Sequence, residues 1–294
     1  MKYNISPYDP DLTFQSLPSD QNLFEDYLNR RFGRWCYTSK AREAIKIALG
    51  YYNLAKDDVV TILTTSGNFY ISSCVTNAIE CVCRWSREIL PETKVLFVNH
   101  EFGYPYKDME RLKGYGLPII EDCAYAFFSE SKEYAIGKIG DFAIYSLPKA
   151  FPVEWGGVLV YNNTNFDRSE SFGQNEHPEW IRNLSSAIEE VEMIKSRRLS
   201  NYQFLRDQLA PLGAEPFFEL EDGVIPGVFL FKWLAEIDYA DLKIYMQDNG
   251  VECSVFYGRN AFFIPMHHLL TEGDLLSFCR LLKKYIIENE IFKH

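Results

Sequence analysis

The sequence predicts an α/β protein: a large domain with a mainly parallel sheet flanked by helices, followed by a small C-terminal α/β domain. Two observations carry this. From about residue 35 to 161, apolar runs of strand length alternate with segments whose apolar residues recur at helical spacing, the pattern of crossover units that build parallel sheets. After a polar, aperiodic stretch at 162–178, NNTNFDRSESFGQNEHP, a long helical segment opens a second and shorter alternating series. The expected boundary therefore gives 1–178 as an N-terminal segment plus large domain, and 179–294 as a connecting helix plus small domain. With 294 residues, 47% of them hydrophobic, the chain can bury a core in each.

Taken in order, AREAIKIALGYY puts Ala41, Ala44, Ile45, Ala48 and Leu49 on one helical face, and DVVTIL (58–63) reads as a buried strand. A helix is expected over 75–89, then the strand KVLFVN (94–99), a short helix near 107–115 and the strand PIIED (118–122). DFAIYS (141–146) and GGVLVY (156–161) are two further strands joined by a ten-residue connection that contains Lys149. Beyond the polar stretch come helical residues 179–210, the strand GVFLFKWL (227–234), a helix ending at Gly250 and the strand VECSVFY (251–257). Thr271 and Asp274 mark the capped start of a final helix.

A net charge of −11 with no Lys/Arg run excludes nonspecific attraction to nucleic acid or an anionic membrane surface. No apolar stretch is long enough to span a bilayer, and the first residues, MKYNISPYDPDLTFQ, lack the apolar core of a secretory signal. Seven scattered cysteines suit reduced thiols and a cytoplasmic setting. Cys81 and Cys83 lack the companion pair that a zinc site needs, so they are expected to be small buried residues, and no metal site is expected.

Three kinds of side chain suggest chemistry. Asp122 ends an apolar strand, where a carboxylate can reach a crevice at the sheet's carboxyl edge. Lys149 lies in a loop between two buried strands, close to the small residues Gly156 and Gly157. Thr38 and Ser39 precede the helix that starts near Lys40, which suits either helix capping or phosphate binding. Ser146 is a second phosphate candidate, and Phe69 or Tyr70 could stack on a flat ring. Together these meet the demands of pyridoxal 5′-phosphate (PLP): an amine, an acid for the ring nitrogen and donors for the phosphate.

The order of these segments resembles that of the DegT/DnrJ/EryC1/StrS family of sugar aminotransferases, a branch of the fold-type-I PLP-dependent transferases. NHEFGYPYKDME (99–110) is similar to its His-x-x-Gly-x-Pro-x-x-Asp-Met stretch, and PIIEDCAYAF (118–127) to its Glu-Asp-x-Ala motif. GKIGDFAIYSLPKAFPVEWGGVLV (137–160) resembles its Gly-Asp run into the cofactor lysine and a Gly-Gly strand, and FFIPMHHLLTEGDL (262–275) its Leu-Pro-x-His segment. The resemblance implies catalytic Lys149 and Asp122, and cofactor contacts from Thr38, Ser39, Lys40, Phe69, Tyr70, Tyr125 and Ser146. Tyr125 stands where the family usually has glutamine. The implied reaction moves an amino group, from glutamate, to a nucleotide-linked keto-sugar in surface or secondary polysaccharide synthesis, catalysed by a cytoplasmic homodimer. Tyr104, Tyr106, His267 and His268 could line the substrate cleft or simply pack. The short stretch after Tyr161 leaves a second expectation, a non-catalytic or regulatory relative without the sugar-binding loops.

Overall fold

A computed structural model describes residues 2–8, 22–169 and 178–289. Of the expected polar loop 162–178, residues 170–177 lie outside the described residues, as do residues 9–15 of the N-terminal stretch. The large sheet has seven strands: β1 (Trp35–Thr38), β2 (Val59–Thr64), β3 (Arg84–Ser86), β4 (Thr93–Asn99), β5 (Ile119–Asp122), β6 (Phe142–Ser146) and β7 (Gly157–Tyr161). Their order is β1-β7-β6-β5-β4-β2-β3. The β6-β5, β5-β4, β4-β2 and β2-β3 pairs are parallel, while β7 runs antiparallel to both neighbours. The chain thus has the α/β fold expected, with one reversed strand that lets the β6–β7 connection stay short.

Why these strands read as continuous apolar runs is plain from their two faces. Along β7, Val158 and Val160 point into one core with α1 (Leu23–Phe32) and α6 (Pro178–Glu189), where Phe24, Tyr37, Phe127 and Trp180 pack. Leu159 and Tyr161 point into the other, against Ala44, Ile45 and Leu49 of α2 (Ala41–Gly50) and Val75 and Ile79 of α3 (Ser73–Glu80). A sheet covered on both sides needs apolar residues at both phases of its period of two.

The structure corrects the expected helix at 75–89. α3 stops at Glu80, and residues 84–86 instead pair with β2 as an edge strand. The turn between them leaves Cys81 exposed while Cys83 is buried, so only Cys83 fits its expected role. After α4 (Met109–Lys113) and the one-turn helix α5 (Leu147–Ala150), the chain passes through α6 and the long α7 (Val191–Leu209). A second sheet follows: β8 (Ala214–Pro216), β9 (Phe229–Trp233), β10 (Ser254–Phe256) and β11 (Ala261–Ile264), in the order β10-β11-β9-β8, all antiparallel. With α7, α8 (Tyr239–Asp248) and α9 (Glu272–Glu288) it encloses a core of its own. Thr271 and Asp274 form the expected capping box of α9. Among the described residues no helix is long and apolar enough to cross a membrane.

Candidate active site

Thr38 is level with Gly157, Gly157 with Ser146, Asn99 with Asp122, and Thr64 with Asn99. Strand pairing brings these residues to one edge of the sheet. The crevice at the carboxyl ends of parallel strands is where α/β sheets bind ligands. Here it opens into a cavity of about 690 Å³ lined by Asn99, Asp122, Tyr125, Ser146 and Lys149, together with the first residues of α2.

Asp122 is 5% exposed, and both its carboxylate oxygens accept hydrogen bonds. Asn99 Nδ2 donates to Oδ2 at 2.6 Å and the Ala124 amide to Oδ1 at 3.0 Å. Each oxygen keeps a further lone pair for a donor in the cavity. Lys149 is carried on α5, and its Nζ lies 3.8 Å from the centroid of the Tyr125 ring, over the face. Close approach of that ring to β9's lead-in requires Gly227, where a Cβ would sit 2.3 Å from Tyr125 Cδ1.

The other expected contacts divide. Lys40 and Tyr70 line the cavity, as do Ala41 and Arg42 at the start of α2. Thr38 and Ser39 do not. The Thr38 hydroxyl, 2% exposed, donates to the Lys40 carbonyl and abuts Gly157, and the Ser39 carbonyl accepts from the Gly156 amide. Both shape the turn into α2 and neither faces the cavity. Phe69 is likewise outside it, 71% exposed, with the Arg87 guanidinium 5.8 Å from its ring centroid. The aromatic at the cavity wall is Tyr70, packed edge-on against Phe256.

Nor do the four cleft candidates reach it. Tyr104 packs on Phe218 at 4.6 Å, and the Tyr106 amide donates to His100 Nδ1. His267 and His268 are buried away from the cavity, and burial, followed by the charge of Arg198, pushes both down to about 3. Residues that sequence reasoning missed are Asn99, whose strand-end place was its only signal, and Glu101, Lys243 and Gln247, which tertiary folding alone delivers.

Glu121, beside Asp122, serves the frame. His100 receives a proton donor at Nδ1, so its Nε2 carries the hydrogen that bonds Glu121 Oε2 at 2.9 Å. Gly137 also donates to Oε2, while Ile139 and Gly140 donate to Oε1. The carboxylate is fully engaged, so its closeness to His100 and Cys123 describes a hydrogen-bonded latch on the 137–140 turn. Burial opposes its ionisation, but the His100 hydrogen bond and the Gly140 and Gly137 amides outweigh that and hold its carboxyl below the ordinary 4.5. The latch is therefore at full strength above that value and is lost as pH falls through the lowered one. Glu121→Gln should lose about 3 kcal/mol at neutral pH, and the gap should close in acid. Thermal melts of both proteins across the acid range check this; a gap independent of pH would contradict it.

Residues 76–173, which contain Asp122 and Lys149, match the model of the DegT/DnrJ/EryC1/StrS aminotransferase family. That segment of the chain thus resembles the family. The chain is 36% identical over 93 residues to the GDP-perosamine synthase of Escherichia coli O157:H7, a segment covering 29% of this chain and 25% of that protein. It is 31% identical over 86 residues to an L-glutamine:2-deoxy-scyllo-inosose aminotransferase of Streptoalloteichus tenebrarius, covering 27% and 20%. The matches thus span about a quarter of the length of these curated relatives. The fold likeness is far wider: a Streptococcus pneumoniae protein solved in its PLP form superposes with a TM-score of 0.74 at 14% identity, over 98% of this chain and 99% of the other.

Proposed function

We propose that this chain is a PLP-dependent aminotransferase that passes an amino group from an amino-acid donor, glutamate in the first instance, to a nucleotide-linked keto-sugar. The observation that carries the reading is the convergence of Lys149, Asp122 and the N-terminus of α2 on one cavity. These groups fit the cofactor's chemistry. An amine, a carboxylate with unused lone pairs, and a helix start flanked by Lys40, Arg42 and Ser146 match its aldehyde, ring nitrogen and phosphate. The bound cofactor would supply an electron sink and a carrier for the amino group.

The chain's own residues do the rest. Lys149 Nζ is the amine that anchors the cofactor and, once released, the base that moves a proton on the substrate side. Asp122, oriented by Asn99 and the Ala124 amide, presents an oxygen to hold the proton on the ring nitrogen. Tyr70 and Tyr125 narrow the cavity around the flat ring, and Tyr125 takes over the place of the family's glutamine. The relatives' names support a sugar or cyclitol acceptor. A cytoplasmic homodimer serving surface or secondary polysaccharide synthesis is the setting that this reading implies. The intact lysine and aspartate favour it over a non-catalytic relative.

The test is amino transfer by purified protein supplied with PLP, glutamate or glutamine, and a panel of nucleotide-linked keto-sugars beside free ketoses and inososes, read by mass spectrometry of the aminated product. Amination confined to nucleotide-linked acceptors is the expected result. Amination of the free compounds alone would move the acceptor class, and none at all would refute the reading.

A further inference from the structure

The short helix that carries Lys149 raises a problem of its own. A helix of four residues has no following turn, so its carbonyls must find donors elsewhere. Leu147 O accepts from the Phe151 amide, and Pro148 O from Ser6 Oγ at 2.6 Å. The last two, Lys149 O and Ala150 O, are met by one group: Nη2 of Arg198, at 2.9 and 3.4 Å, reaching over from the middle of α7.

Arg198 is a costly way to supply those bonds. It is 2% exposed, its Nε has no hydrogen-bond partner, and no carboxylate pairs with it among the described residues. Its guanidinium lies 5.4 Å from the Phe128 ring centroid, and its neighbours His267 and His268 are held neutral. Burying an unpaired charge is unfavourable, and an apolar side chain of similar size commonly stabilises such a site. One turn along α7, Asn201 Nδ2 donates to Met266 O and His267 O, so the same helix face also grips the segment after β11.

We infer that Arg198 is a positioning residue for Lys149, fixing the one-turn helix by its carbonyl end and tying it through α7 to the second sheet's side of the molecule. A guanidinium suits the task because it stays charged when buried and its Nη2 carries two hydrogens for the two carbonyls, whereas a buried lysine gives up its charge more readily. Arg198 does not line the cavity and touches no reacting atom. The inference rests on the proposed role of Lys149, yet the ordering of the helix can be measured without any cofactor.

The experiment compares wild type, Arg198→Met and Arg198→Lys in two measurements. One is amide hydrogen exchange of the peptide spanning residues 145–153 in cofactor-free protein; the other is PLP affinity by near-visible titration. In Arg198→Met, exchange in that peptide should quicken and PLP affinity should fall, each by roughly tenfold or more, with no loss in melting temperature. Arg198→Lys should fall between the two. Unchanged exchange and affinity in either variant would overturn the inference. So would faster exchange spread through the whole chain with a lower melting temperature, which marks a general packing role. If Arg198→Met does not fold, Arg198→Lys alone decides by the same signs. If wild type takes up no PLP, the functional reading fails, while exchange still judges Arg198.

Discussion

Asp122→Asn should leave the protein folded and loaded with cofactor, yet cut amino transfer by about two to four powers of ten. The site contains a directed carboxylate: Asn99 and the Ala124 amide donate one bond to each oxygen, which turns the remaining lone pairs toward the cavity. The substitution removes the negative charge that would sit opposite a protonated ring nitrogen. It also turns one acceptor into a donor, so the Asn99 amide must turn over to present its oxygen or one of the two bonds is lost. A small loss of stability, about 1–2 kcal/mol, should accompany this. Steady-state amination rates set beside the near-visible band for occupancy and a thermal melt separate the three effects. A rate within tenfold of wild type at full occupancy would remove Asp122 from the chemistry.

Asp122 and Lys149 were legible because each is a polar residue set against long apolar runs. The strand PIIED ends in its acid, and the connection between β6 and β7 holds a lysine between two buried strands. Strand pairing then made them neighbours of Asn99 and Ser146, a matter of register that no local pattern displays. Phe69 and Tyr70 differ by one position in a stretch without regular structure, so periodicity could not choose between them, and the cavity wall is formed by Tyr70. Thr38 has the composition of a phosphate ligand or a cap, but its hydroxyl is spent on the Lys40 carbonyl where β1 turns into α2.

Misread elements have physical causes as well. Residues 75–89 carry helical spacing at their start, yet β2 offers an unpaired edge, and Arg84–Ser86 takes those backbone bonds. α1 was missed, although Phe24 and Leu28 lie one turn apart and bury fully against the large sheet. A strand as short as β8, three residues, carries too little pattern to announce itself. Arg197 and Arg198 are neighbours in the sequence, and only tertiary packing separates their roles, the second being buried against the Lys149 turn.

Whether Lys149 holds the cofactor can be measured directly. Purified wild type and Lys149→Ala are each mixed with PLP, their near-visible spectra recorded, and the samples reduced with borohydride, digested and mapped by mass spectrometry. Wild type should show a near-visible band and reduced cofactor on Lys149, and a folded Lys149→Ala protein should show neither. Cofactor mapped to another lysine, or no stable adduct in wild type, would contradict that role for Lys149.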